Sequence, residues 1–165
     1  MAFPEPGVDH TALEAAGFAL LAPGVLIGPG PPPDGVPAVR GGVTASETAR
    51  LLAARAWPLQ RSDGQYRAFL DAFSGLEGAE ALTALDAMAG RTAVVHLFQR
   101  AALRDPHLPA GLLPPGWAGH AARALCQRLY TGFSPASERW LDGAGTGTGP
   151  LPRGPDPALR FGVGL

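Results

Sequence analysis

Three side chains of basic residue types follow one another at intervals of four residues: His96, Arg100 and Arg104. Residues four apart lie on one face of an α-helix, so the spacing predicts a polar stripe on a helix that is otherwise apolar. An arginine can hold a carboxylate or a phosphate with two parallel hydrogen bonds. We therefore expect this stripe to contact an anionic ligand or a partner chain, and simple exposure to water is the alternative. For Arg104, stabilisation of the helix C-terminus is a further alternative.

The other residues that could take part in catalysis or bind a metal match no known catalytic or metal-binding pattern. His96, His107 and His120, taken with Asp105, have none of the spacings of a zinc site, and no G-x-S-x-G motif is present. The chain has no lysine, which excludes a phosphate-binding loop of the G-x-x-x-x-G-K-[ST] type at the level of the motif. The expectation is a protein that is not an enzyme and needs no metal and no cofactor.

Two other features are interpreted as structural. The single cysteine, Cys126, lies in the apolar stripe of a predicted helix, which favours a small buried hydrophobe over a reactive thiol. The alternating glycines at 143, 145, 147 and 149 follow a helix instead of a strand, and their spacing is not G-x-G-x-x-G. We expect a mostly disordered tail over residues 143–165.

Composition limits the classes of partner. The chain has 165 residues and a formal net charge of -1, so it lacks the positive field of a strong nucleic-acid binder. No apolar run approaches the roughly 18 residues of a membrane span, and the first ten residues lack the pattern of a secretory signal. A cytoplasmic protein without a membrane partner is the default expectation.

Apolar periodicity predicts a helical domain over residues 44–142. Thr44 and Glu47 have the spacing of a capping box, and Pro58 ends that first helix. A second helix follows Asp63, and a third stretch, interrupted by Gly90, is expected to be one helix or two. After the proline-rich residues 105–116, a last long helix is predicted to end near residue 133. Ser134 and Pro135 are then expected to start a short helix that runs to residue 142.

The first 43 residues read as an incomplete α+β fragment. Glycine and proline break them into two short strand candidates, Val25–Ile27 and residues 36–40. A short helix over residues 9–16, with Asp9 as its cap, is predicted to precede them. Two strands alone cannot bury a sheet face, so the whole chain is predicted to be mainly α, with a small α+β part in front.

One segment carries a family resemblance. Residues 94–117, VVHLFQRAALRDPHLPAGLLPPGW, resemble the C-terminal domain of the PaaX-type phenylacetic-acid-degradation repressors. The family has a characteristic series of residues in a fixed order along the sequence. In this chain they are His96, Phe98, Arg100, Arg104, Asp105, Pro106, Leu108, Pro109, Leu112, Leu113, Pro114 and Trp117. Leu97 and Gln99 depart from it, because the family often has a carboxylate and a second arginine there. The similarity extends upstream through residues 56–59 and 66–69 and downstream through residues 137–141. Residues 17–18 and 21–25 resemble the family's ferredoxin-like middle domain.

The resemblance implies an architecture and a role. Family members consist of a winged-helix DNA-binding domain, a ferredoxin-like domain and a helical C-terminal domain, and they repress aromatic-acid catabolism as dimers. By resemblance, residues 1–43 are the remnant of the middle domain, and DNA would be contacted only through a winged helix that this chain is expected to lack. Its role would be to form a homodimer, or a hetero-dimer with a related repressor, and to sense an aryl-acetyl coenzyme A effector. His96, Arg100 and Arg104 are the candidate ligand-binding residues.

Two rival functions remain at this stage. The first is a free-standing interaction module that hetero-dimerises with full-length repressors. The second is an enzyme that turns over an acyl-coenzyme A thioester.

Overall fold

Helices dominate the described part of the chain, as the sequence predicts, and the sheet found there has two strands. The computed structural model describes residues 1, 2, 4, 10–39, 41, 42, 44–78 and 82–144. In these residues the element order is α1 (Thr11–Ala15), β1 (Ala19–Ala22), β2 (Val25–Ile27), α2 (Glu47–Ala56), α3 (Leu59–Phe73), α4 (Ala84–Ala102) and α5 (Gly119–Gly143). Short 3-10 helices lie at Ser74–Leu76 and Ala110–Leu112. The predicted fold class, mainly α with a small α+β part, is confirmed.

The chain divides into two compact units. The first unit comprises Met1–Ser62 and Arg104–Trp117, and the second comprises Asp63–Leu103 and Ala118–Leu165. The division therefore passes through α3, between Ser62 and Asp63. The predicted domain boundaries at residues 44 and 142 remain predictions. Most of the tail predicted to be disordered, residues 145–165, lies outside the described residues.

The first unit begins with a hairpin. β1 and β2 pair antiparallel with Ala19 opposite Ile27, and the turn between them contains Gly24 at φ 73°, a conformation that favours glycine. The predicted strand at Val25–Ile27 is confirmed, but its partner is β1. The strand predicted over residues 36–40 is wrong, because Ala38 makes only an isolated bridge to Ala2. The neighbouring Pro37 has no N–H with which to extend that pairing.

Helix α2 starts later than predicted. Its N-cap is Ser46, whose Oγ accepts from the Ala49 N–H at 3.1 Å, so the capping box predicted from Thr44 is wrong. Its end before Pro58 agrees with the prediction, since a residue that precedes proline is disfavoured in the helical conformation. The helix predicted over residues 9–16 is present as α1, and its proposed cap Asp9 lies outside the described residues.

The proline-rich segment packs onto α2 and the start of α3. It contains no long helix, as predicted, and it turns at His107, whose φ is 51° and whose N–H donates to Asp105 Oδ1 at 2.8 Å. The apolar cluster beneath it consists of Ala53, Leu59, Leu108 and Leu113, with the half-buried Trp57, Leu112 and Trp117 against it. Trp117 thus contributes to the packing of this segment.

In the second unit, α4 is one continuous helix. Thr83 and Asp86 form a reciprocal capping box at its start, and the chain stays helical through Gly90. A Cβ at residue 90 would lie 3.1 Å from Phe133 Cε2, so the glycine permits a close approach of α4 to α5. Tyr66 and Phe69 of α3 pack their rings on Phe98 of α4, with centroids 6.1 and 5.8 Å apart.

Helix α5 is also continuous, which corrects the prediction of a helix that ends near residue 133. Pro135 lies inside it, so Ser134 is not an N-cap. The Ser134 hydroxyl instead donates to the Tyr130 carbonyl, and the Ser137 hydroxyl donates to the Phe133 carbonyl, each at 2.7 Å. These hydroxyls bind carbonyls on both sides of the break that a proline makes in the backbone ladder, and Pro135 itself is exposed.

Two polar links fix α5 in the second unit. Its N-cap residue, Ala118, has no capping side chain, and its N–H donates to Asp63 Oδ1 of α3 at 2.8 Å. Arg91 of α4 donates to Tyr130 at 3.0 Å, to Ser137 at 3.1 Å and to Glu138. Burial alone lowers the pKa of this guanidinium, but the hydrogen bonds from Arg91 to Glu138 and Tyr130 outweigh it, so the pKa is raised.

Asp63→Ala should lower the free energy of unfolding by about 1–2 kcal/mol, because the start of α5 loses a capping acceptor. Asp71→Ala is the matched control, since Asp71 is an exposed carboxylate of the same helix. Its effect should stay within about 0.5 kcal/mol. Urea unfolding followed by circular dichroism measures both variants, and equal losses would show that Asp63 does not cap α5.

Arg91→Ala should cost about 1.5–3 kcal/mol, the range for hydrogen bonds to charged groups, since it leaves Glu138 and Tyr130 without this donor. Arg139→Ala removes an exposed arginine of α5 and should change stability by less than about 0.5 kcal/mol. Thermal melts of the two variants compare them directly. A melting temperature of Arg91→Ala equal to that of Arg139→Ala would contradict a stabilising role for Arg91.

Candidate functional site

The three basic residues singled out by the sequence, His96, Arg100 and Arg104, are all exposed. His96 and Arg100 lie on one face of α4 in the second unit, as their spacing predicts. Arg104 belongs to the first unit, where its carbonyl accepts from the buried Ser62 hydroxyl at 3.4 Å. Within the described part of the chain, none of the three side chains makes a hydrogen bond or an ion pair. Their polar groups are therefore available to a ligand or a partner chain.

Arg104 does not continue the helix, which corrects one expectation. Helix α4 ends at Ala102, and the Leu103 N–H closes the last turn on the Gln99 carbonyl at 2.9 Å. Arg100, and not Arg104, is the basic residue of the last turn. Favourable interaction with the helix C-terminus therefore belongs to Arg100.

Helix α4 has a buried apolar side and an exposed, mostly polar side. Ala87, Val94 and Ala101 repeat every seven residues and are buried. The opposite side is exposed along the whole helix, and it carries Leu85, Ala89, Thr92, His96, Gln99 and Arg100, followed by Leu103 just beyond the last turn. Leu85 is 55% exposed and Leu103 is 86% exposed. His96 and Arg100 are thus part of a longer exposed face with leucines near its two ends.

The sequence did not predict a cleft of about 350 Å³ in the second unit, between the start of α4 and the middle of α5. Its apolar lining consists of Leu76, Leu82, Ala87, Leu129, Phe133 and Ala136, with Gly78 and Gly132 beside them. Two charged residues, Glu77 and Arg128, complete the lining, and they form an ion pair with each other. The hydrogen bond from Arg128 lowers the pKa of the Glu77 carboxyl.

The cleft combines an apolar floor with one ion pair, in which the Arg128 guanidinium is bound to the Glu77 carboxylate. Small-molecule sites typically start at about 300 Å³ and join apolar walls to a few polar groups, and this cleft has both the volume and that kind of lining. Sequence reasoning missed it because Leu129 and Phe133 were interpreted only as core residues. Glu77 and Arg128 are 51 residues apart, and no spacing rule joins them.

The structure also shows where the remaining histidines and the cysteine singled out from the sequence lie. His107 shapes the proline-rich turn, and His120 is exposed at the start of α5. Among the described residues no group of three or more His, Cys, Asp or Glu side chains is arranged to hold a metal. Cys126 is buried, as predicted, and burial raises the pKa of its thiol to about 12. In the described ranges no helix is both long and apolar enough to cross a bilayer.

Comparison with known proteins covers the same elements. Residues 57–143 match the family model described as the PaaX-like protein C-terminal domain, and this range contains α3, α4, α5 and the cleft. Over 102 residues, 58% of this chain, the sequence is 36% identical to the transcriptional repressor PaaX of Escherichia coli (strain K12). The aligned stretch is 32% of that relative, so this chain spans about a third of its length. The resemblance inferred from residues 94–117 is confirmed, and the chain belongs to the PaaX-like C-terminal domain family.

Proposed function

We propose that this chain is the effector-sensing and self-associating part of a transcriptional repressor of aromatic-acid catabolism of the phenylacetate type. The observation that carries the proposal is the family match over residues 57–143, together with a cleft whose lining lies entirely inside that range. The identity with a transcriptional repressor supports a regulatory role for the chain, and not a catalytic one.

The cleft supports an effector that joins an apolar group to a negative charge. Phe133 and Leu129 offer an apolar surface to a ring, and Arg128 offers a cation at the edge of the same cleft. The Arg128 side chain is 57% exposed and uses its Nε for Glu77, so its two terminal nitrogens remain as further donors. An aryl-acetyl coenzyme A thioester has both features, a ring at one end and phosphates at the other.

His96, Arg100 and Arg104 are proposed as further contacts for anions. Two kinds of anion fit exposed arginines, the phosphates of a thioester and the carboxylates of a second chain. Exposure of all three side chains supports this role. The carboxylates would come from a second copy of this chain, because self-association is part of the proposed function.

Gly132→Leu tests the cleft without endangering the fold. Nothing lies within 4 Å of a Cβ at residue 132, and leucine replaces glycine inside α5, where it is favoured by up to about 1 kcal/mol. The leucine side chain should occupy the cleft and weaken binding of phenylacetyl-coenzyme A at least tenfold. Isothermal titration calorimetry measures the affinity, and the melting temperature should not fall.

Gly64→Leu is the matched control, because residue 64 is also an exposed helical glycine with open space around its Cβ, and it does not line the cleft. It should gain the same helix propensity and keep the wild-type affinity. Equal affinity of Gly132→Leu and wild type would place the effector outside the cleft. If phenylacetyl-coenzyme A does not bind the wild-type chain, the proposal that the chain senses this effector is wrong.

A further inference from the structure

The ion pair at the cleft is balanced in charge. Among the described residues that line the cleft, Glu77 and Arg128 are the charged ones, and they are bound to each other. A carboxylate and a guanidinium in contact cancel much of each other's field at a third group, because the two Coulomb energies have opposite signs. A ligand carboxylate placed beside the pair is attracted by Arg128 and repelled by Glu77. It therefore gains little from the arginine.

The backbone keeps the Glu77 carboxylate at the cleft. Glu77 directly follows the 3-10 helix Ser74–Leu76, whose first carbonyl accepts from the Glu77 N–H at 3.4 Å. Its two neighbours in the chain, Leu76 and Gly78, also line the cleft. Opening the ion pair thus leaves the negative charge of Glu77 next to the cleft. A ligand anion that took over Arg128 would still lie close to a second anion.

The floor of the cleft favours an uncharged group. Its buried apolar residues are Ala87 of α4 with Leu129 and Phe133 of α5, and Gly132 has open space at its Cβ position. A carboxylate that moves from water onto these side chains loses hydration and finds no donor on them. A neutral ring gains from the burial of its apolar area. A neutral carbonyl beside the ring can accept from a terminal nitrogen of Arg128 without adding a charge.

We propose that Glu77 makes the cleft select uncharged aryl-acyl groups, as they occur in amides, esters and thioesters, over free aryl carboxylates. The selection rests on the proposed function and states which part of an effector enters the cleft. The ring and the carbonyl of a thioester lie inside, and its phosphates stay in solvent outside. Glu77 is then a specificity-determining residue that acts through its charge.

Two probes of nearly equal shape test the selection, phenylacetate and phenylacetamide, because only the first is charged. Titration of the full chain, followed by NMR of its backbone amides, gives both dissociation constants for each variant. The wild type should bind phenylacetamide more tightly. Glu77→Gln should strengthen phenylacetate binding about two- to fivefold, the size expected for one exposed charge, and should leave phenylacetamide binding unchanged.

Asp71→Asn is the matched control, since it removes the same charge from an exposed residue of α3 that does not line the cleft. It should keep the wild-type preference. Arg128→Gln should act in the opposite direction and weaken phenylacetate binding, because Glu77 then lacks its counter-charge. Gly132→Leu should abolish binding of both probes, which locates them in the cleft.

A wild-type chain that prefers phenylacetate, binds both probes equally or binds neither overturns the proposal. A Glu77→Gln variant with the same preference as Asp71→Asn overturns it as well. Titration with phenylacetyl-coenzyme A separates this result from the proposed function. If the thioester binds and Glu77→Gln leaves the preference unchanged, the proposed function stands and selection by Glu77 is wrong. If the probes respond as expected and the thioester does not bind, selection by Glu77 stands and the proposed effector is wrong.

Discussion

The close contact of α4 with α5 is the constraint on which the second unit depends. Gly90 lets the two helices approach closely, since a Cβ at residue 90 would lie 3.1 Å from the Phe133 ring and the ring would have to shift to accommodate it. The Arg91 guanidinium then bonds the same two helices beside that contact and lies 4.8 Å from the centre of the Tyr130 ring. The close contact at Gly90 and the hydrogen bonds of Arg91 thus lie side by side. A shift of one helix along the other would break both.

The same contact positions both candidate surfaces. Ala87 and Phe133 line the cleft from opposite helices, and the buried side of α4 leaves its other side exposed with His96 and Arg100 on it. A helix that packs tightly on one side is also a rigid support for whatever binds the other side. The cleft and the exposed face therefore share one framework without sharing a side chain.

Sequence patterns predicted the helices better than their ends. The apolar repeat around Leu125 and Leu129 correctly indicated a long helix, because burial of one stripe dominates its stability. Ser134 and Pro135 were misread as a helix start, since the rule for proline is local and ignores the serine hydroxyls that bind nearby carbonyls. The four-residue spacing of His96 and Arg100 correctly predicted that the two residues lie on one face of α4. The cleft was beyond prediction, because Glu77 and Arg128 meet only after three helices are packed.

The cap that Asp63 provides for α5 has a consequence for the order of folding. The longest helix of the described chain begins at an N-terminus whose capping acceptor comes from a residue 55 positions earlier. Local sequence therefore gives α5 little help to nucleate at that end, and a nascent α5 is expected to fray there until α3 is in place. Such non-local contacts carry a loop-closure cost that must be met before they stabilise anything, so they slow folding. The start of α5 should accordingly form late, as part of tertiary assembly.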